Sequence, residues 1–220
     1  MYTLIIGNKN YSSWSLRPWL ALRTAGIAFE ERRYGLFTEE FAREVGRVNP
    51  AGLVPVLLDG GFAVWDSLAI CEYAAEAYPE RQLWPAQAQA RARARSLAAQ
   101  MHSGYAALRQ ALPMNIEARL PGLDLPPQAR QDITRIQAIW HDTRAEFGQG
   151  GPFLFGRFSI ADAFYAPVVS RFVTYGVPAA GSVRGYMDAV LELPAMQEWM
   201  RDARAEATFV PQDEPYRSRR

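Results

Sequence analysis

Every strand signal in this 220-residue chain lies ahead of a proline-bracketed linker at residues 79–85, and everything patterned after it is helical. Such a chain cannot run one sheet through its whole length. It must build a small α/β unit first and pack helices against it. Tyr2 to Gly7 alternates and reads as a strand, and Asn8 to Trp14 is polar and turn-like. A helix carrying Leu16, Trp19, Leu20 and Leu22 follows and ends at Gly26. Ala28 to Tyr34 reads as a second strand, parallel to the first because a helix connects them. Thr38 to Val45 is a short helix with a threonine cap and Glu39-Glu40 in its first turn. Val54–Leu58 and Phe62–Trp65 flank Asp59-Gly60-Gly61 as a hairpin, and Asp66 opens a helix that Pro79 ends. The order is therefore β-α-β-α-β-β-α. Beyond the linker the pattern predicts helices over Gln87–Leu112, Pro127–Phe147, Ser159–Tyr175, Ser182–Leu191 and Pro194–Ala205, and a surface-lying polar tail after Ala207.

The scarce residues narrow the chemistry. Cys71 is the one cysteine, so neither an internal disulfide nor a Cys-x-x-Cys pair is possible. His102 and His141 stand in no metal-ligand spacing, and Lys9 is the only lysine, so zinc and Schiff-base chemistry are poorly served. Catalysis by this chain imports its reactive group. Lys plus Arg is 24 and Asp plus Glu is 23, a balance that attracts neither nucleic acid nor an anionic membrane. Arg91 and Arg95 fall on one helix face and Arg93 opposite, which reads as a solvated surface. No apolar run approaches the roughly 20 residues of a membrane span. The first strand lacks the basic region of a secretory leader, so a cytoplasmic location is expected.

Three places combine polar side chains with backbone suited to a ligand. Pro18 is tolerated only in a first helical turn, which leaves Ser12 and Ser13 in the turn ahead of it. A hydroxyl there, at a positive dipole end, either caps the helix or lowers the pKa of a thiol held against it. Val54-Pro55 begins a strand. A trans bond makes it a plain strand start, and a cis bond turns the Val54 amide and carbonyl toward an extended peptide. Asp66-Ser67 precedes an apolar helix and either caps it or forms a polar cup for an α-amino acid end. By contrast Ser159 and Asp162 have the spacing of a capping box and a structural role. Cys71, on an apolar helix, reads as a small buried hydrophobe. Met101, Tyr105, Leu108 and Leu112 form a stripe that suits either a core or a pocket wall. Tyr105, His102, Arg109 and Trp14 are the candidate pocket lining.

Five motifs in register resemble the glutathione transferase superfamily over nearly the whole chain, most closely its serine-type, zeta-like group, which includes maleylacetoacetate isomerases. They are Ser12-Ser13-x-Ser15-x-Arg17, Asn49-Pro50, Val54-Pro55, Asp66-Ser67-Leu68-Ala69-Ile70 and Gly156-Arg157-Phe158-Ser159-Ile160-Ala161-Asp162. The resemblance implies an α/β thioredoxin-like N-terminal domain over residues 1–79 that binds glutathione as cosubstrate. It implies an all-α C-terminal domain over residues 86–220 with the electrophile pocket. A cytoplasmic homodimer without a metal completes the expectation. Ser12 takes the position that stabilises the thiolate, with Ser13 beside it in the glutathione site. Val54, before a cis Pro55, pairs with the cysteinyl part, and Asp66 and Ser67 hold the γ-glutamyl end. Trp14 stands where the zeta pattern has cysteine. Gly52 and Leu53 stand where it has Lys-Gln, which leaves the glycine carboxylate without its usual partner, and Glu40 falls where glutamine is common. The expected activity is transfer of the glutathione thiolate to a small, largely apolar electrophile. The alternatives are a glutathione-dependent cis–trans isomerase, with Arg17 and Arg109 as its cations, and a non-catalytic interaction module.

Overall fold

The computed structural model of the chain describes residues 1–219. Its strands are β1 (Tyr2–Ile6), β2 (Phe29–Arg33), β3 (Val56–Asp59) and β4 (Phe62–Trp65). They form one sheet in the order β2-β1-β3-β4. β1 runs parallel to β2 with Tyr2 opposite Phe29, and β3 runs antiparallel to β1 with Thr3 opposite Leu58. Alternation along β1 sends Leu4 and Ile6 to the main core and Ile5 to a smaller one with Val45 and Val56. The outer strand β2 is Phe-Glu-Glu-Arg-Arg with its charged residues exposed, a composition that discourages edge pairing.

The helices are α1 (Ser13–Thr24), α2 (Glu39–Gly46), α3 (Ser67–Ala77), α4 (Ala88–Ser103), α5 (Ala106–Ala111), α6 (Pro127–Phe147), α7 (Ile160–Thr174), α8 (Gly181–Glu192) and α9 (Pro194–Ala205). A thioredoxin-like α/β unit thus precedes an all-helical one, as expected. α1 is the shared element, packing on α3 on one side and on α7 and α9 on the other. Its Leu16, Trp19 and Leu20 are fully buried, and one core runs through both units. α7 is buried almost all round, which its apolar run allows. Its capping box forms as the spacing predicts. The Ser159 amide and hydroxyl both donate to Asp162 Oδ2, at 2.8 and 3.0 Å. Asp162 Oδ1 also takes the Leu154 amide at 3.0 Å.

One expectation is corrected. The helix predicted over Gln87–Leu112 is two helices, α4 and α5. Tyr105 between them adopts φ 57°, the left-handed region, and Arg109 donates to the carbonyls of His102 and Gly104 that the break leaves free. Gly104 is required there, since a Cβ would lie 2.7 Å from the Gln100 carbonyl oxygen. The tail lies on the surface as expected, but it is anchored there. Val210 and Glu214 are buried, Tyr11 Oη donates to Glu214 at 2.7 Å, and Tyr216 Oη donates to the Ala111 carbonyl at 2.7 Å. Apolar and hydrogen-bonding anchors spaced along a polar segment hold it down as a strap against Tyr11, Ala111 and Asn115. Among the described residues no helix is long and apolar enough to cross a membrane.

Candidate active site

Two adjoining hollows open where the α/β unit meets the helices. The larger, about 630 Å³, is walled by Tyr11, Ser12, Ser13 and Trp14 on one side and by Arg109, Met114, Arg171 and Asp213 on the other. The smaller, about 330 Å³, lies against Pro55, Trp65, Asp66 and Ser67. Trp14, Leu53 and Val54 border both, so a single extended molecule can pass from Ser67 to the serine loop along Val54.

At the serine end, capping and cleft lining occur together. Ser12 is the N-cap of α1. Its Oγ accepts from the Ser15 amide at 3.4 Å and its hydroxyl donates to Ser15 Oγ at 2.8 Å. Ser15 Oγ also takes the Gly7 amide at 3.2 Å. Ser13 Oγ accepts from Arg171 Nη2 at 3.2 Å. The Arg17 guanidinium is buried 4.0 Å from the Trp14 ring centroid and 4.9 Å from that of Phe164. Burial, with Arg171 and Arg109 nearby, pushes Arg17 down to about 9. Arg109 lies 5.3 Å from the same indole. Aromatic faces thus take over the solvation that these cations lose.

At the other end the Val54–Pro55 bond is cis. Pairing in β3 starts at Val56, so the Val54 amide and carbonyl lie ahead of the ladder. Asp66 is held at φ 75°, a strained conformation for a residue with a Cβ. Its Oδ1 caps α3, accepting from the Leu68 and Ala69 amides at 2.8 and 3.3 Å. Its Oδ2 faces His102 Nε2 at 3.2 Å. Ser67 Oγ is buried with no hydrogen-bond partner. An orphaned buried hydroxyl is costly, and a ligand carboxylate is the kind of group that would satisfy it.

Of the four residues expected to line an electrophile pocket, Trp14 and Arg109 border the larger hollow and two do not. His102 sits between Asp66 and Trp14, 5.2 Å from the indole, at the Asp66 end of the cleft. Burial lowers its pKa, opposed by Asp66 and assisted by Arg17 and Arg109. Tyr105 is 6% exposed and belongs to the helical core, because the left-handed turn at its own position redirects it. Arg171, Met114, Tyr11 and Asp213 were not anticipated. For Arg171 a signal existed: a lone arginine within the apolar run of α7. Gly52 and Leu53 border the larger hollow without offering a charge, and Glu40 is exposed on α2. Cys71 is buried and its thiol is pushed up by that burial. Lys9 is bound to Glu31 and Asp202, each at 2.9 Å, which ties β2 and α9 together. Among the described residues no cluster of three or more potential metal ligands is present.

The sequence model of the glutathione S-transferase N-terminal domain matches residues 11–77, and that of the C-terminal domain matches residues 85–202. The chain belongs to the glutathione S-transferase family. Glutathione S-transferase 1 of Dianthus caryophyllus is 32% identical over 167 residues, 74% of each chain. A glutathione transferase homolog from Burkholderia GL BGR1, solved with bound glutathione, is similar with a TM-score of 0.71 and 25% identity. That match covers 93% of this chain and 98% of the other. A bacterial zeta-class maleyl pyruvate isomerase is similar with a TM-score of 0.69 and 25% identity, over 90% of this chain and 95% of its own.

Proposed function

We propose that the cleft binds glutathione and presents its thiolate to a small, largely apolar electrophile. The observation that carries this reading is the unpartnered Ser67 hydroxyl beside Asp66, joined through Val54 to the serine loop. The γ-glutamyl carboxylate accepts a hydrogen bond from the Ser67 hydroxyl at the N-terminus of α3, and the ammonium meets Asp66. The cysteinyl backbone pairs with Val54 at Pro55. The thiol then reaches the Ser12–Ser13 end of the loop, where the N-terminus of α1 and the buried guanidinium of Arg171 favour an anion. A thiol with an ordinary pKa near 8.5 is thereby ionised at neutral pH. The serine hydroxyl acts as a hydrogen-bond donor and not as a nucleophile. Residues 1–79 hold the thiol donor in this reading, and residues 86–220 supply the wall the electrophile meets, with Arg109 and Met114 on it beside Trp14.

Retention on immobilised glutathione and conjugation of a generic aromatic electrophile test the reading directly. Ser67→Ala should raise the KM for glutathione about tenfold, the cost of roughly one strong hydrogen bond, with kcat changed much less. No retention and no turnover by the wild type would favour a non-catalytic interaction module. A second catalytic reading, a cis–trans isomerase of a maleyl substrate, is favoured by the two guanidiniums, Arg109 and Arg171, that border one hollow and suit a dicarboxylate. Turnover of a maleyl compound separates the two. A homodimer fits the exposed Phe62 of the edge strand β4. A reduced thiol cosubstrate and a free buried Cys71 suit the cytoplasm.

A further inference from the structure

Beyond Val54 the wall of the larger hollow has a different character from the polar end at Asp66 and Ser67. It is built by α2, the loop ahead of it and the loop ahead of the cis proline, through Leu36, Phe37, Phe41, Ala42, Gly52 and Leu53. Phe37 is 62% and Leu53 64% exposed. Neither is there through looseness. Phe37 is held at φ 63°, a left-handed conformation that a bulky residue adopts only when its surroundings impose it. Leu53 stands on a pinned loop. The buried Asn49 donates from Nδ2 to the Leu53 carbonyl at 2.7 Å and accepts the Ala51 amide at 2.9 Å. Large apolar side chains fixed in water at the edge of a cavity mark a surface that a ligand covers.

The same wall offers little to an anion. Among the described residues the cations bordering the larger hollow are Arg109 and Arg171, both on the helical side and both donating to backbone carbonyls. On α2, Arg43 and Arg47 each pair with Glu44, at 2.8 and 3.0 Å. Glu39 and Glu40 in the first turn already complement the positive end of that helix. Thr38 gives its proton to the Gly35 carbonyl at 2.8 Å and accepts the Phe41 amide at 3.1 Å. A carboxylate laid on this wall meets neither a cation nor a free hydroxyl. An alkyl group meets Phe37 and Leu53.

Resting on the glutathione reading above, we propose that this wall is the subsite for the C-terminal end of the thiol peptide. It favours a γ-glutamylcysteinyl thiol whose last group is uncharged and apolar over one that ends in a free carboxylate. The cysteinyl residue pairs at Val54 and turns its thiol to the serine loop, so the continuing main chain passes to Leu53 and α2. An ester or amide there covers the two exposed side chains and brings no charge to a wall without a counter-ion.

Steady-state kinetics of the full-length protein with glutathione and with its glycine monoethyl ester, against one generic aromatic electrophile, test the subsite. The ester should show a KM about three- to tenfold lower, the effect of burying one or two carbons, with kcat within about twofold. Leu53→Lys changes an exposed side chain and should reverse the preference by lowering the KM for glutathione alone, a gain that salt weakens. Phe37→Asn suits the left-handed backbone, so the fold and melting temperature should hold while the preference for the ester is lost. An ester KM equal to or above that of glutathione in the wild type overturns the proposal and leaves the glutathione reading standing. So does an ester preference that persists unchanged in both variants, or a Phe37→Asn protein in which only the KM for the electrophile moves. Turnover of neither thiol overturns both.

Discussion

Asp162 shows how one residue joins a sequence signal to a tertiary one. Its capping partner Ser159 is three positions away and legible from spacing, whereas the Leu154 amide reaches it only because the preceding loop folds back. Burial pushes the carboxyl up to about 6 from 3.8, against the pull of the bonds it accepts from Leu154 and Ser159. A carboxyl whose folded pKa exceeds its unfolded one binds protons more readily when native. Its contribution is therefore complete below about 3.8 and is lost as the pH rises through about 6. Relative to Asp162→Asn, which does not titrate, wild-type stability in urea should gain about 1–3 kcal/mol between pH 7 and pH 4. A gap between the two proteins that is constant with pH would refute the assignment. Ser12 and Asp66 teach the same lesson about sites. Each is recognisable as a cap candidate from its neighbours, and only the tertiary structure shows that it also borders a cavity.

Among the elements, the strands, the first three helices and the capped start of α7 follow from local pattern, because caps, turns and alternation act over three or four residues. The α4–α5 break is harder to read. Gly104 is its one local signal, and the Arg109 bonds that complete it depend on the turn having formed. The tail is harder still. Glu214 accepts from Tyr11, 203 positions earlier, and from Asn115 at 2.8 Å, so nothing in its own composition marks it as buried. A chain ending at Ala207 loses these bonds and the burial of Val210, and should be about 3 kcal/mol or more less stable. It also loses the wall at Asp213, so the KM for an electrophile should rise while retention on glutathione persists. Chemical denaturation and steady-state kinetics of the truncated chain check both. Unaltered values would mean that the anchors of the tail contribute neither stability nor a wall to the cleft.

At the scale of the whole molecule, α1 packs between α3 and α7, and that placement brings Ser13 at its start against Arg171. Lys9 bridges Glu31 and Asp202 near the Trp19 and Trp199 rings, so the one lysine serves to join the two units. The edge strand β4 is less complete: Phe62 is 63% exposed on the side of the sheet that carries Tyr73, a large apolar side chain that suits contact with a second copy. Light scattering at micromolar concentration should give a dimer for the wild type and a monomer for Phe62→Glu. A monomeric wild type would rule out that face.

The sequence by itself determined the order of elements, the caps, the two-part division of pattern and the need for an imported reactive group. These depend on residue types and on spacings of a few positions. Only the tertiary structure decided that Ser13 carries a buried guanidinium behind it, that Tyr105 turns to the core, and that the tail closes one wall of the cleft. Burial and charge pairing are set by residues about a hundred or more positions apart, as with Ser13 and Arg171, and no local spacing encodes which of them will meet.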